Sequence, residues 1–441
     1  MNDTPASISD KIRQQFDFGP YPRVPIDKSP KEDANLLFIH NLVTPYYLQN
    51  QKVINTEGKT ILDAGCGTGY KSLVLAEANP GATIVGVDLS AESVNLAKAR
   101  LQHHGFENAQ FHVVSIEDLP SLGMEFDYIN CDEVLYLFPN PADGLSALKS
   151  VLKPKGIIRS NLHSAWQRAS YFRAQNVFQV MGLFDNNPEE LEITLVQDIM
   201  KALKPGVDLK TRTWNPAMEK EDAQESILMN FLFQGDRGFK VPEMFAAMRE
   251  AGLEFVSMVN WRHWDIFSLF ADPDDLPVFL ALSLPEASPE EQLTLFELLH
   301  PVHRLLDFWC TLPSQEDAFP IADWDVEDWQ KAQVHLHPQL RTPKAQAAFI
   351  ESLQEQKPLD LTTLLKAPAS SSYFVNSSVL SLLLMLIDGP QPFQTLVEHW
   401  LLIHPKSLIG LEPMTTDEAA AELMKLLSRM EVFLYVLIEV H

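Results

Sequence analysis

The chain has 441 residues, enough for two or three domains, and its hydrophobic fraction of 46% is typical of a globular protein. Its formal net charge of −25 repels phosphate backbones, which argues against nucleic acid as the main partner and favours cationic partners. Three scattered cysteines without a CxxC pair argue against a disulfide framework or a metal site and suit a reducing cytoplasm.

No membrane segment is expected. The N-terminus (MNDTPASISDKIRQQF) lacks an apolar signal core, and the longest apolar runs are too short to span a bilayer. We therefore expect a cytoplasmic protein without a membrane anchor.

The first half alternates apolar β-type runs with helical patterns, which is typical of a parallel α/β sheet. Strands are predicted over Thr60–Ala64, Ala82–Asp88, Ala109–Val114, Phe126–Cys131 and Gly156–Asn161. The helices between them are predicted over Gly69–Ala78, Ser90–Gly105 and Leu145–Leu152.

A later helix and strand, Val241–Ala251 and Leu253–Val259, predict that the sheet is completed only after a long helical stretch. We therefore predict a first domain over residues 1–265 with a helical insertion at about 164–237. The alternative is that the first domain ends near Trp166.

Beyond the first domain the strand rhythm fades, which predicts a helical middle region over residues 266–360. The last segment, 361–441, offers three helices and the apolar run Val432–Ile438, a pattern compatible with a winged-helix-like module. Thr415 and Glu418 stand at capping-box spacing before the third helix. That helix is acidic, so it is poorly suited to bind in a groove of DNA. We therefore expect a regulatory or protein-contact role for this segment, with packing in the core or in a homodimer as the alternative.

The loop Asp63–Tyr70 (DAGCGTGY) joins a predicted strand to a predicted helix. Its glycines allow a tight turn and the close approach of a ligand. Asp88 ends the next strand, at the sequence spacing from the loop where an acidic side chain reaches the hydroxyl groups of a ribose. Tyr70 occupies the position where a dinucleotide fingerprint needs a small residue, so the NAD pattern fails. The acid two residues before the first glycine suits a ligand with an ammonium group and no pyrophosphate.

This constellation resembles motif I of class I S-adenosylmethionine-dependent methyltransferases, which implies a Rossmann-like domain with a seven-stranded, mostly parallel sheet. The resemblance implies that Asp63 partners the methionine ammonium, that Asp88 holds the ribose hydroxyls, and that Leu89 packs on the adenine. It also implies contacts to the cofactor from the loop residues Gly65, Cys66, Gly67 and Gly69.

The end of the third strand departs from the family pattern, because Ser115 stands where an acid usually contacts the adenine amino group. Ile116 can still pack on the ring. The family places contacts to the methionine end after the fourth strand, which here gives Asn130, Cys131 and Asp132.

A wider resemblance involves Tyr21-Pro22-Arg23-Val24-Pro25 and, later, the Asn230–Leu232 and Phe239–Glu243 segments. These resemble a bacterial group that joins a methyltransferase domain to a methyltransferase regulatory domain and includes protein-lysine methyltransferases. The resemblance makes Tyr21 a cofactor-pocket candidate; a proline-rich strap packing on the domain is the alternative.

No residue is compelled to be a general base, so the catalytic residues stay unassigned. Substrate-side candidates are Tyr136, Asn161 and His163, which follow the fourth and fifth strands. The leading hypothesis is methylation of a protein side chain such as lysine. The alternatives are a small-molecule methyltransferase and a non-catalytic cofactor-binding regulator.

Overall fold

The computed structural model describes residues 5–19, 21–220, 223–313, 319–366, 371–406 and 412–440. Its main sheet has seven strands in the order β3-β2-β1-β4-β5-β7-β6. They are β1 (Thr60–Ala64), β2 (Thr83–Asp88), β3 (Gln110–Val113), β4 (Phe126–Cys131), β5 (Leu152–His163), β6 (Glu254–Met258) and β7 (Leu305–Thr311).

The first five strands are parallel, whereas β7 runs antiparallel to both β5 and β6. The carboxyl ends of the parallel strands therefore meet at one edge, and the strand order reverses beside β1, where doubly wound sheets bind ligands. The predicted Rossmann-like fold with a seven-stranded, mostly parallel sheet is confirmed.

Strand β7 corrects the predicted end of the sheet. The sequence analysis closed the sheet domain at residue 265 and assigned 266–360 as helical, yet Leu305–Thr311 is inserted between β5 and β6. Its residues Leu306, Phe308, Trp309 and Cys310 are fully buried, so apart from Asp307 the strand is a short apolar run without regular alternation. Such a run is indistinguishable by periodicity from a buried helix segment.

Helices precede and cover the sheet. In the N-terminal part these are α1 (Pro5–Phe18), α2 (Ala34–His40), α3 (Val43–Asn50), α4 (Tyr70–Ala78), α5 (Ala91–His103) and α6 (Pro141–Lys149). The predicted helix Leu145–Leu152 is displaced, because Asn140 caps α6 through the Ala142 amide and Leu152 already belongs to β5.

Between β5 and the next helix that covers the sheet, the described residues form four α-helices: α7 (Ala169–Val180), α8 (Glu190–Ala202), α9 (Asp208–Thr213) and α10 (Gln224–Phe231). They share a core of their own around Phe178, Val196 and Phe231. Treating residues 164–237 as an inserted unit stays a prediction. The chain returns to the sheet through α11 (Val241–Ala251), and α12 (Val278–Ser283) and α13 (Pro289–Leu299) precede β7.

The C-terminal part builds a second core. Its strands are β8 (Ala332–Leu336), β9 (Leu359–Asp360), β10 (Phe374–Val375), β11 (Gln391–Pro392) and β12 (Val436–Val440). Its helices are α14 (Val326–Lys331), α15 (Pro343–Glu355), α16 (Ser377–Ile387), α17 (Phe393–Ile403) and α18 (Thr416–Glu431). The predicted capping box is confirmed, since the Thr415 hydroxyl accepts from the Glu418 amide while the Glu418 carboxylate accepts from the Thr415 amide.

The terminal apolar run forms β12, which pairs antiparallel with β8. Because β8 lies in the predicted middle region, the packing crosses the predicted boundary at residue 360. This core also takes Phe38, Val43 and Tyr47 from α2 and α3, so the N-terminal helices join it to the main sheet. The winged-helix-like assignment stays a prediction.

Within the described ranges, no helix combines the length and apolar character needed to cross a bilayer. In the same ranges, no group of three or more His, Cys, Asp or Glu side chains is arranged to hold a metal ion.

Candidate active site

A cavity of about 760 Å³ opens at the carboxyl ends of the parallel strands. Its floor is the loop after β1, with Gly65, Cys66 and Gly67, and one side is formed by Asp88 and Leu89 after β2. The size lies within the range of small-molecule and cofactor sites. The cavity is therefore placed where motif I predicts a nucleotide-type ligand.

Backbone hydrogen bonds hold the glycine loop in place, and neighbouring atoms leave no space for a β carbon at Gly65, Gly67 or Gly69. The amides of Gly65 and Cys66 donate to the Val87 carbonyl over 2.8 and 2.9 Å, which fixes the loop against β2. Gly67 has φ +50° and lies under the Tyr21 carbonyl, and a β carbon at Gly69 would stand 2.6 Å from Ala97 Cα in α5. Gly69 thus serves helix packing, whereas Gly65 and Gly67 line the cavity.

Asp88 is the acid best placed for a ribose. Its Oδ2 accepts from the Gly67 amide over 2.9 Å and its Oδ1 accepts from the Ser90 amide over 2.9 Å. Burial raises the pKa of this carboxyl, and the amide donors oppose that rise. The side chain faces a cavity in which hydroxyl groups could supply further hydrogen bonds.

At the adenine end, Leu89 and Ile116 line the cavity and Ser115 does not. The Ser115 hydroxyl instead accepts from the Asp118 amide at 3.2 Å, so it caps the turn after β3. Glu117, which the sequence analysis did not select, lines the cavity two residues later. Glu117 could have been recognised in the sequence as an acidic residue that directly follows Ile116, two positions after the site where the family pattern has its acid.

Three further predicted cofactor residues are covered. Asp63 and Asn130 lie behind the cavity wall, with Asn130 Nδ2 donating to Asp63 Oδ1 over 2.8 Å. Cys131 is fully buried, and burial raises the pKa of its thiol to about 12, which suits a packing residue and not a nucleophile. Asp132, the next residue, does reach the cavity.

The opposite wall carries polar groups that include two residues missed by the sequence analysis. Glu133 follows β4 with a left-handed backbone of φ +61°, and its carboxylate forms an ion pair with Arg304, just before β7. Tyr21 also lines this wall. Burial, followed by the charge of Glu133, raises the pKa of Tyr21 above its ordinary value, so its hydroxyl stays neutral.

The predicted substrate-side residues support this wall from behind. Asn161 accepts from the Glu133 amide over 2.9 Å and donates to Asp132 Oδ1 over 2.5 Å. His163 stacks on Tyr136 with ring centroids 3.9 Å apart, and its Nδ1 lies 2.6 Å from Asp236 Oδ1. The three residues are brought together, but none of them lines the cavity.

The N-terminal segment closes the cavity from above. Ile12 and Phe16 of α1 line it, and the Tyr21 and Pro22 carbonyls accept from the Thr68 amide and hydroxyl over 3.0 and 2.7 Å. The sequence analysis left two alternatives for Tyr21, a residue of the cofactor pocket or part of a strap that packs on the domain. In the structure Tyr21 lines the cavity and also belongs to a segment that packs on the glycine loop.

Residues 55–227 match a protein family described as a methyltransferase domain. An uncharacterized protein of Synechococcus is 25% identical over 326 residues, covering 74% of this chain and 76% of its own length. A ubiquinone biosynthesis O-methyltransferase of Actinobacillus pleuropneumoniae is 33% identical over 117 residues, or 25% of this chain. This chain spans 48% of that enzyme's length.

Among solved structures, PKMT2 from Rickettsia typhi in complex with AdoHcy is similar over 92% of this chain and 75% of its own, with a TM-score of 0.58 and 15% identity. At that identity the likeness shows a shared fold. It extends over the C-terminal part as well as the sheet domain.

Proposed function

We propose that this chain is a class I S-adenosylmethionine-dependent methyltransferase and that its methyl acceptor is a protein side-chain amine such as that of lysine. Asp88, the Gly65–Gly67 backbone and Leu89 would hold the nucleoside half of the cofactor. Bound S-adenosylmethionine supplies an electrophilic methyl group, so the protein's remaining tasks are to orient the acceptor and exclude water.

The observation that carries the proposal is the carboxylate of Glu133 on the cavity wall. Burial alone would raise the pKa of Glu133, but His163 and Arg304 hold it below its ordinary value. The carboxylate is therefore ionised and acts only as an acceptor, which suits an N–H donor. An amine that donates to Glu133 would have its nitrogen held at this wall of the cavity.

Apolar side chains line the same cavity as this carboxylate. Phe16, Leu137 and Phe138 line the same cavity as Glu133 and Tyr21. The methylene stem of a lysine could pack on them while its nitrogen reaches the polar wall. This combination supports a long aliphatic amine as the acceptor.

Two larger-scale features point the same way. The chain's net charge of −25 would attract a lysine-rich protein surface. Its fold follows that of PKMT2 from Rickettsia typhi across 92% of the chain.

The test is to incubate the purified protein with labelled S-adenosylmethionine and a cell lysate, then separate proteins from small molecules. We expect label in protein bands and methyl-lysine in their digests by mass spectrometry. Label confined to the small-molecule fraction would contradict the proposal and favour a small-molecule acceptor. A parallel incubation with Asp88→Ala gives the background that does not depend on bound cofactor.

A further inference from the structure

Two helices that precede β7 keep large apolar side chains on the outside of the protein. In α12, Val278, Phe279 and Leu282 are 76%, 77% and 71% exposed. Every residue of this helix is at least partly exposed, and Leu280 packs against the core of the sheet domain. Exposed apolar side chains gathered in this way are typical of interaction surfaces. This helix therefore presents an apolar face to the outside.

The following helix, α13, repeats this arrangement. Phe296 is buried in the core of the sheet domain, whereas Leu298 and Leu299 are 58% and 63% exposed. Gln292 Nε2 donates over 3.0 Å to the carbonyl of Leu284, directly after α12, which ties the two helices together. We use the name α12–α13 surface for the exposed apolar residues Val278, Phe279, Leu282, Leu298 and Leu299.

The chain around this surface is acidic. Residues 263–303 contain no Lys or Arg. The loop before α12 carries Asp272, Asp274 and Asp275, and the turn after it carries Glu286, all of them exposed. A partner that covers the apolar residues must therefore approach these carboxylates. The surroundings favour a partner that carries Lys or Arg beside its own apolar side chains.

The same carboxylates disfavour other occupants of the surface. A second copy docked through the same face would bring Asp272, Asp274 and Asp275 of both copies together, in molecules that each carry a net charge of −25. Anionic lipid headgroups would be repelled in the same way. The charge distribution thus points to a basic, apolar segment of another protein.

The α12–α13 surface is close along the chain to the proposed acceptor site. Helix α13 ends at Leu299, and Arg304, which pairs with Glu133, lines the cavity. The segment from Leu299 to Arg304 spans at most about 18 Å even when it is fully extended. A polypeptide bound at the end of α13 would therefore be within a short distance of the cavity.

We propose that the α12–α13 surface docks a basic, apolar segment of the protein that carries the methyl-accepting lysine. Apolar residues of that segment would cover Phe279 and Leu282, and its Lys or Arg residues would face the carboxylates beside α12. Docking outside the cavity would select the acceptor protein by features other than the lysine itself. The identity of the partner as the methyl acceptor rests on the proposed function, whereas its basic, apolar chemistry rests on the surface alone.

A titration of the intact chain with a dye-labelled amphipathic peptide built from Leu and Lys tests the surface, with fluorescence anisotropy as the measurement. We expect Phe279→Ser/Leu282→Ser to weaken peptide binding about tenfold or more, because two exposed apolar contacts are lost. Phe374→Ser/Leu402→Ser removes the same residue types from exposed sites in the C-terminal part. This matched control should stay within about twofold of wild type. Equal affinities of wild type and the α12 variant would overturn the proposal.

Three further measurements separate the possible occupants. A peptide of the same pattern built from Leu and Glu should not bind, and binding as tight as that of the Leu and Lys peptide would overturn a basic partner. Sedimentation of wild type that shows a dimer lost in the α12 variant would assign the surface to a second copy. Pelleting with phosphatidylglycerol vesicles that is lost in the α12 variant would assign it to a membrane. Either of these results would overturn the proposal.

The labelling experiment tests whether the docked partner is the methyl acceptor. We expect the α12 variant to transfer at least about fivefold less label to protein bands while S-adenosylhomocysteine binds as in wild type. Undiminished labelling of proteins by this variant would overturn the acceptor as the docked partner. Label confined to small molecules in wild type would contradict the proposed function and, with it, the acceptor as partner, whereas the peptide titration decides the basic, apolar chemistry independently.

Discussion

The backbone carbonyl of Tyr21 lies directly over Gly67, at the position where any other residue would place its β carbon. The neighbouring amide of Thr68 donates to that carbonyl over 3.0 Å. The N-terminal strap is thus seated on the glycine loop itself, and one glycine serves both the cavity floor and the closure above it.

Replacing Gly67 with alanine should therefore displace the strap and weaken cofactor binding. The side chain must clear the Tyr21 carbonyl in addition to adopting φ +50°, so we expect a loss of about 2–4 kcal/mol in unfolding free energy. Gly58→Ala is the matched control, because Gly58 has φ +72° with no atom within 4 Å of the added carbon. Denaturant unfolding of both variants measures the difference, and equal losses would show that the strap contact contributes nothing.

Asp88→Ala should abolish tight cofactor binding, since it removes the carboxylate facing the cavity and the acceptor for the Gly67 amide. We expect S-adenosylhomocysteine to bind at least about a hundredfold more weakly, from the loss of hydrogen bonds to a charged group. Asp88→Asn keeps an oxygen for the Gly67 amide and should lose less. Asp143→Ala, at an exposed site in α6, is the control; wild-type affinity in Asp88→Ala would contradict the ribose assignment.

Local sequence patterns were sufficient to predict those strands whose limits are marked by neighbouring residues in the sequence. The limits of β1 and β4 match their predicted ranges, because each is an apolar run ended by polar or turn residues. Strand β7 was missed because its partners β5 and β6 are distant in sequence and their pairing is antiparallel.

The same limitation applies to the site. The motif I loop and Asp88 are local features, whereas the Glu133–Arg304 pair joins residues 171 positions apart. The sequence pattern assigned both Asp63 and Asp132 to the cofactor, and only packing shows that Asp132 faces the cavity while Asp63 is covered.

Asp63 should make stability depend on pH in the direction opposite to most paired carboxylates. Burial raises its pKa to about 6, so the folded protein holds this proton more tightly than the unfolded chain. Its contribution favours folding at low pH and is lost as the pH rises from about 4 through 6.

Asp63→Asn removes that titration while keeping a side chain of the same shape. Relative to wild type, the variant should gain about 2–3 kcal/mol of unfolding free energy between about pH 4 and about pH 7.5. Urea unfolding at the two pH values measures this change. A constant difference between variant and wild type would mean that Asp63 does not titrate in this range.

Glu133→Gln should impair acceptor binding without affecting the cofactor. The substitution preserves shape but removes the charge, so Arg304 would present an uncompensated positive charge to an incoming amine. With a lysine-containing acceptor peptide identified by the labelling experiment, we expect KM to rise about tenfold or more while S-adenosylhomocysteine affinity stays within about twofold of wild type. Glu125→Gln, at the exposed opposite end of β4, should behave as wild type. An unchanged KM in Glu133→Gln would remove the main support for an amine acceptor, and a matching loss of cofactor affinity would make Glu133 a structural residue of the cavity wall.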